Sequence, residues 1–265
     1  ILTVAAALRD GKANADTEMD APDTLTLPGT NHALSNYAGE SCGNGKVKLS
    51  YAFAESCNTP FAQLAMDVGY KDLSSEAEAW GFDDSQSIPL TVTPSRFPET
   101  NSDAETAMAG IGQASVRATP LMMAQVAGTI ANGGDQMKPY LVAQTLDSDL
   151  NVVDTTTPKV ARTPISSQTA QALSSLMQQA VSDGTGSSAQ VAGVSVAGKT
   201  GTAETGSDDG GPVTWFVGFA GTDLSKPSIA LAIVLDGGEQ TAATGTGGSV
   251  AGPMAASIID AAVDQ

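Results

Sequence analysis

The sequence predicts a mixed α/β fold in which a C-terminal antiparallel sheet is flanked and surrounded by helices. "GVSVAGKTGTAET", "PVTWFVGFAGT" and "SIALAIVLDGG" follow one another as β-rich runs joined by turn residues, the pattern of a meander. Upstream, several stretches carry apolar residues at helical spacing between start and stop signals. The 265 residues show no repeat of fixed period and suffice for a well-buried core, so residues 1–265 read as one domain.

Taken in order, "ILTVAAAL" (1–8) is apolar and helical, with no capping residue before it and no basic leader. It reads as the later turns of a helix that begins upstream. Residues 11–48 are rich in Gly, Pro, Asn and Asp, with "TLTL" and "KVKLS" as short strands. Leu49 to Glu55 is a short helix. Thr59 then caps a second helix, with Pro60 in its first turn, Phe61, Leu64, Ala65 and Val68 on its apolar face and Gly69 at its end. Ser56-Cys57-Asn58 thus falls at a helix–helix junction, where side chains can project into a cleft. Residues 83–104 form a Pro- and Ser-rich connector. Thr119 and Pro120 start a helix that turns Met123, Val126, Ala127 and Ile130 inward and stops at Asn132-Gly133-Gly134. Residues 136–163 are extended with turns. A helix over 167–182 carries Leu173, Leu176, Met177, Ala180 and Val181. A last helix, 249–263, carries Val250, Met254, Ile258 and Ile259. Met122 and Met123 read as core filling, and Trp215-Phe216 as sheet residues.

Twelve basic and 29 acidic residues give a formal charge of −17, which excludes a general nucleic-acid binder. No apolar run approaches the roughly 18–20 residues of a membrane span. His32, the single histidine, lies in a polar stretch and reads as a surface residue. Metal and Ser-His-Asp chemistries are therefore disfavoured, and no metal or cofactor is expected. Cys42 and Cys57 fit either one disulfide, in an exported protein, or two buried thiols.

Lys199 belongs to two motifs at once. Gly193 to Thr200 reads G-x-x-x-x-G-K-T, a match to the phosphate-binding P-loop. Lys199-Thr200-Gly201 reads K-T-G, a motif of acyl-transferring serine enzymes. A P-loop needs a helix starting at Lys-Thr, but Gly201 to Pro212 cannot start one, and Val194 to Ala197 is an alternating run that prefers a strand. A strand edge bearing an ammonium, two hydroxyls and a bare glycine suits a peptide with a terminal carboxylate.

With Ser56-Cys57-Asn58 upstream as S-x-N, "GIGQASVRATPLMMAQVAGTIANGG" between the motifs and "TWFVGFA" after them, the chain resembles the transpeptidase domain of class B penicillin-binding proteins. Within that family it is most similar to the actinobacterial A type. The resemblance spans essentially the whole chain. It implies a penicillin-binding protein/serine β-lactamase-like fold, with residues 1–265 a transpeptidase domain whose N-terminal part and strands are expected upstream, and a serine D,D-transpeptidase that cross-links peptidoglycan stem peptides and is acylated by β-lactams. By the same resemblance, Ser56 relays protons, Asn58 holds the substrate amide and Lys199 supports the electrostatics of the site. Thr200 and Thr202 bind the substrate carboxylate, Gly201 allows close approach, and the Thr202 amide joins the oxyanion hole. The resemblance also implies an extracytoplasmic location, an upstream membrane anchor, and division or elongation proteins as partners. The family's Ser-x-x-Lys is missing, since no serine here is followed three residues later by lysine. Thr156-Thr157-Pro158-Lys159 has the spacing with threonine, in a polar turn. The nucleophile and its lysine are expected immediately before Ile1, and the chain as given is expected to lack acyl transfer. A serine β-lactamase and a non-catalytic binding relative are the alternatives.

Overall fold

The apolar start of the chain forms α1 (Leu2–Arg9), with Val4, Ala5, Ala6 and Ala7 buried at the centre of the main core. In this computed structural model the described residues are 1–86, 88, 90–204, 211–237 and 245–263. After α1 come β1 (Glu18–Ala21), β2 (Thr24–Thr26), β3 (Ala33–Ser35) and β4 (Gly45–Lys48). They pair antiparallel as β1 with β4 and β2 with β3. Then follow α2 (Leu49–Ala54), α3 (Asn58–Val68), α4 (Tyr70–Trp80), α5 (Asp103–Gly110) and α6 (Pro120–Ala131). Two small antiparallel pairs join β5 (Gln136–Met137) to β8 (Val160–Arg162) and β6 (Gln144–Leu146) to β7 (Val152–Thr155). The chain ends with α7 (Ser167–Ser182), β9 (Ser195–Ala203), β10 (Val213–Gly221), β11 (Ile229–Leu235) and α8 (Gly252–Val263).

The meander is present in the order β11-β10-β9, antiparallel throughout. Its two faces are packed by different helices, as the period-two alternation requires. Ala197, Val217 and Phe219 join α1, α2, α6 and α7 in the main core, whereas Val196, Phe216 and Ala220 meet Ala255 and Ile259 of α8. Gly198 is forced by this packing, since a Cβ there would lie 2.3 Å from the Phe216 ring. Among the described residues the outer edges of β9 and β11 are unpaired.

Local signals account for most helix ends. Thr119 accepts from the Met122 amide with Pro120 in the first turn of α6, and Ser166 caps α7. Two helices lie where none is expected from the sequence. α4 begins directly after Gly69, whose φ of 86° lets it end α3 and start α4 at once. α5 starts inside the end of the connector, where Ser102 accepts from the Glu105 amide. In α6 the fully buried methionine is Met122, at 1% exposure, while the expected Met123 is half-buried against the core. On α8, Ile259 is buried and Met254 and Ile258 are exposed. An ion pair with its carboxylate end buried ties α1 to α4: Arg9 Nη1 lies 2.5 Å from Glu76 Oε2, and Trp80 Nε1 donates to Glu76 Oε1 at 2.8 Å. Burial raises the Glu76 carboxyl above its usual range, against the opposing pull of Trp80 and Arg9.

Candidate functional site

α2 and α3 meet at Ser56, which sits at φ 59°, a conformation rarely adopted by a residue with a side chain. The sharp reversal turns the Ser56 hydroxyl toward β9. The expected cap at Thr59 is not what starts α3. The capping position falls two residues earlier, at Cys57, and the Thr59 hydroxyl donates instead to the Pro22 carbonyl at 2.7 Å. Asn36 Oδ1 receives the Asn58 amide at 2.8 Å and the Thr59 amide at 3.2 Å. Asn58 Nδ2 donates to the Ser35 carbonyl at 3.0 Å. Cys57 is bonded to Cys42, with Cα atoms 6.0 Å apart. The open choice between disulfide and thiols is thus resolved as a disulfide. The residues between Pro22 and Cys42 therefore hold the Ser-Cys-Asn junction from outside.

β9 brings up the other wall. Lys199 Nζ donates to Ser56 Oγ at 2.7 Å and to its neighbour's carbonyl, Thr200 O, at 3.0 Å. The ammonium stands 5.7 Å from the centroid of the Phe53 ring. Burial lowers the Lys199 pKa to about 8, and Glu55 offsets this only in part. Because Ser56 Oγ accepts from Lys199, its own hydrogen remains free to donate to a ligand.

The threonines differ in what they can offer. Thr200 is buried, with its hydroxyl 2.6 Å from that of Thr185. Thr185 bonds through both its amide and its hydroxyl to the Ala54 carbonyl, at 3.0 and 3.2 Å, two residues before Ser56. Since Thr185 donates to Ala54, Thr200 donates to Thr185 and presents only lone pairs elsewhere. Thr202 Oγ1 accepts the Gly247 amide at 3.1 Å and keeps its hydrogen for a ligand. Gly201 is bare for reasons internal to the protein. A Cβ there would come within 3.2 Å of Trp215 Cβ, and one on Gly247 would lie 2.5 Å from the Gly201 carbonyl oxygen.

The structure thus brings Lys199 onto Ser56, with Asn58 two residues beyond Ser56 and Thr200, Gly201 and Thr202 continuing along β9. Asn36 and Thr185 join them from positions that carry no local motif. Lys199 to Thr202 lie inside a nine-residue strand, which rules out the P-loop geometry. The turn-like stretch after Glu204 lies in part, at 205–210, outside the described residues, as does Gly238 of "LDGG". Lys159, of the threonine version of Ser-x-x-Lys, is exposed on the β7–β8 connection, and His32 is exposed. No group of His, Cys, Asp and Glu able to hold a metal occurs among the described residues, and no described helix is long and apolar enough to cross a membrane.

The family model of the penicillin-binding protein transpeptidase domain matches residues 1–260. The chain is 40% identical over 270 residues to the peptidoglycan D,D-transpeptidase PbpA of Mycolicibacterium smegmatis, covering 100% of this chain and 54% of that protein. It is 38% identical over 267 residues to the same-named protein of Mycobacterium tuberculosis, covering 99% of this chain and 53% of that protein. The solved ceftriaxone acyl-enzyme complex of penicillin-binding protein A from M. tuberculosis superimposes with a TM-score of 0.91 at 38% identity, covering 98% of this chain and 58% of that one. The present chain spans about half the length of the relatives it matches. By sequence, fold and the order of its motifs, the chain belongs to the penicillin-binding protein transpeptidase domain family.

Proposed function

We propose that residues 1–265 are a transpeptidase domain whose site accepts the D-Ala-D-Ala end of a peptidoglycan stem peptide. The contact that carries this reading is the 2.7 Å bond between Lys199 and Ser56, made across 143 residues of chain. It poises a hydroxyl beside an ammonium only about one unit from neutrality at pH 7, the arrangement a proton relay requires. The acyl step joins a serine Oγ to the penultimate carbonyl carbon and breaks the peptide C–N bond. The serine proton passes through Ser56 to the departing D-Ala amine. A second peptide's amine then displaces the serine, restoring its proton and forming the cross-link. Thr202 offers its hydroxyl hydrogen to the terminal carboxylate, with Lys199 adding positive charge, and Thr200 shapes the same wall. Asn58 holds the substrate amide, and the Thr202 amide serves the oxyanion.

The nucleophile and its lysine are read as a Ser-x-x-Lys immediately upstream of Ile1. β-Lactams would acylate the same serine, as the solved acyl-enzyme complexes of penicillin-binding protein A illustrate for that relative. An extracytoplasmic site anchored by an upstream segment, among division or elongation proteins, accords with the Cys42–Cys57 bond, since disulfides persist in oxidising compartments. Fluorescent penicillin tests the reading. The natural full-length protein should label covalently without turning over a chromogenic β-lactam rapidly. Covalent labelling of a chain that starts at Ile1 would overturn the placement of the nucleophile, and rapid steady-state hydrolysis would favour a β-lactamase.

A further inference from the structure

The first amide groups of α3 have no partner from their own neighbourhood. Cys57, in the capping position, supplies no side-chain acceptor, because its sulfur is committed to Cys42. Asn36 fills the role from 22 residues upstream, with Oδ1 taking both the Asn58 and Thr59 amides. Its own amide group is fixed in turn, since Nδ2 donates to the Glu40 carbonyl at 3.1 Å and the residue is only 7% exposed. Turning the amide over would set N–H against N–H at α3 and oxygen against oxygen at Glu40, so the orientation is determined.

Ser56 lies just before this cap at φ 59°, and such a residue keeps its conformation only when both flanks hold it. Thr185 grips the preceding side through the Ala54 carbonyl. Asn36 grips the following side. Between these two anchors the Ser56 hydroxyl meets Lys199.

We infer that Asn36 is a positioning residue of the acyl-transfer site: by capping α3 from a distant segment it holds Ser56 on Lys199 and sets Asn58 against Ser35. This rests on the function proposed above, and two substitutions test it in the natural full-length protein. Asn36→Ala removes the capping oxygen. Asn36→Asp keeps an oxygen at the cap but turns its second oxygen toward the Glu40 carbonyl, so it should also lower the melting temperature. The second-order rate constant for acylation by a fluorescent penicillin should fall about tenfold in Asn36→Ala, the scale of a lost cap. In Asn36→Asp it should recover to within about threefold of the unaltered protein, although both variants melt lower. Nuclear magnetic resonance of the Lys199 side chain supplies a second readout that needs no nucleophile. Losing the Ser56 acceptor disfavours the charged ammonium, so the Lys199 titration should move to lower pH in Asn36→Ala and stay in place in Asn36→Asp. If the unaltered protein is not acylated at all, the function reading fails, and the Lys199 titration alone decides the role of Asn36. Acylation that simply follows melting temperature across the variants, or an identical Lys199 titration in all three proteins, would overturn the inference.

Discussion

In the natural full-length protein, replacing Lys199 by Met should raise stability at neutral pH and, on the function proposed above, abolish penicillin labelling. Burial lowers the Lys199 pKa from 10.5 to about 8. The unfolded chain therefore keeps this proton up to about 10.5, whereas the folded chain releases it near 8. Below 8 the folded state carries the full penalty, and the penalty fades as pH rises from about 8 to 10.5. A gap of roughly 2.5 units corresponds to about 3 kcal/mol. Met removes that penalty and fills similar space beside Phe53, but it deprives the partly buried Ser56 Oγ and Thr200 O of their donor, at about 1 kcal/mol each. A net gain of about 1 kcal/mol remains, or about 2–4 °C in melting temperature for a domain of this size. Scanning calorimetry at pH 7 and pH 9.5 measures it. Lys199→Met should melt higher at pH 7, and its advantage should shrink at pH 9.5. A variant that melts lower at pH 7, or an advantage indifferent to pH, would show that the ammonium is net stabilising and that its depressed pKa is not a cost of the site.

Glu76→Ala should destabilise by about 1–2 kcal/mol, because it leaves the buried Trp80 N–H without its acceptor and takes one partner from Arg9, which keeps Asp10, and urea unfolding reads the change directly. Thr185→Val keeps the side-chain shape but loses the bonds to Ala54 and Thr200; stability should fall by about 1–2 kcal/mol and penicillin acylation should slow, with Thr185→Ser restoring both. Thr202→Val should lower the acylation rate constant by about tenfold through the lost bond to the ligand carboxylate, whereas Thr200→Val, whose hydroxyl hydrogen is already given to Thr185, should affect that bond much less. Opening the Cys42–Cys57 bond by the double substitution to Ala should cost about 3 kcal/mol for a loop of this length and lower the midpoint of thermal unfolding.

The parts of the site that could be read in advance are those where neighbouring residues decide the geometry. "VSVAGKTGTA" alternates as a strand must, and the junction at Ser56 is framed by two short helices whose apolar spacing is local. Both methionines pack at the core, Met122 fully buried and Met123 partly, because α6 is apolar on nearly every side and its periodicity singles out no one face. α4 was hidden by Gly69, which reads as a stop and serves equally as a start. α5 carries a local signal, since Ser102 and Glu105 have the spacing of a capping box ahead of an Ala-rich stretch.

Asn36 is a different case. Nothing in "LSNYAG" marks it, because its partners lie 22 and 23 residues away and are backbone amides, which carry no signature in sequence. The need for it appears only in the fold. A helix that opens after a cysteine, with Pro60 in its first turn, has no oxygen of its own in the capping position, and its leading N–H groups cannot stay unpaired in a buried junction. Thr59 looked like the remedy because it was nearest. Its hydroxyl was already required to hold the junction to Pro22, so the cap had to come from the segment that the Cys42–Cys57 bond keeps alongside. The disulfide thus does more for the site than close a loop: by occupying Cys57 and tethering the segment that carries Asn36, it makes the distant cap both necessary and reachable.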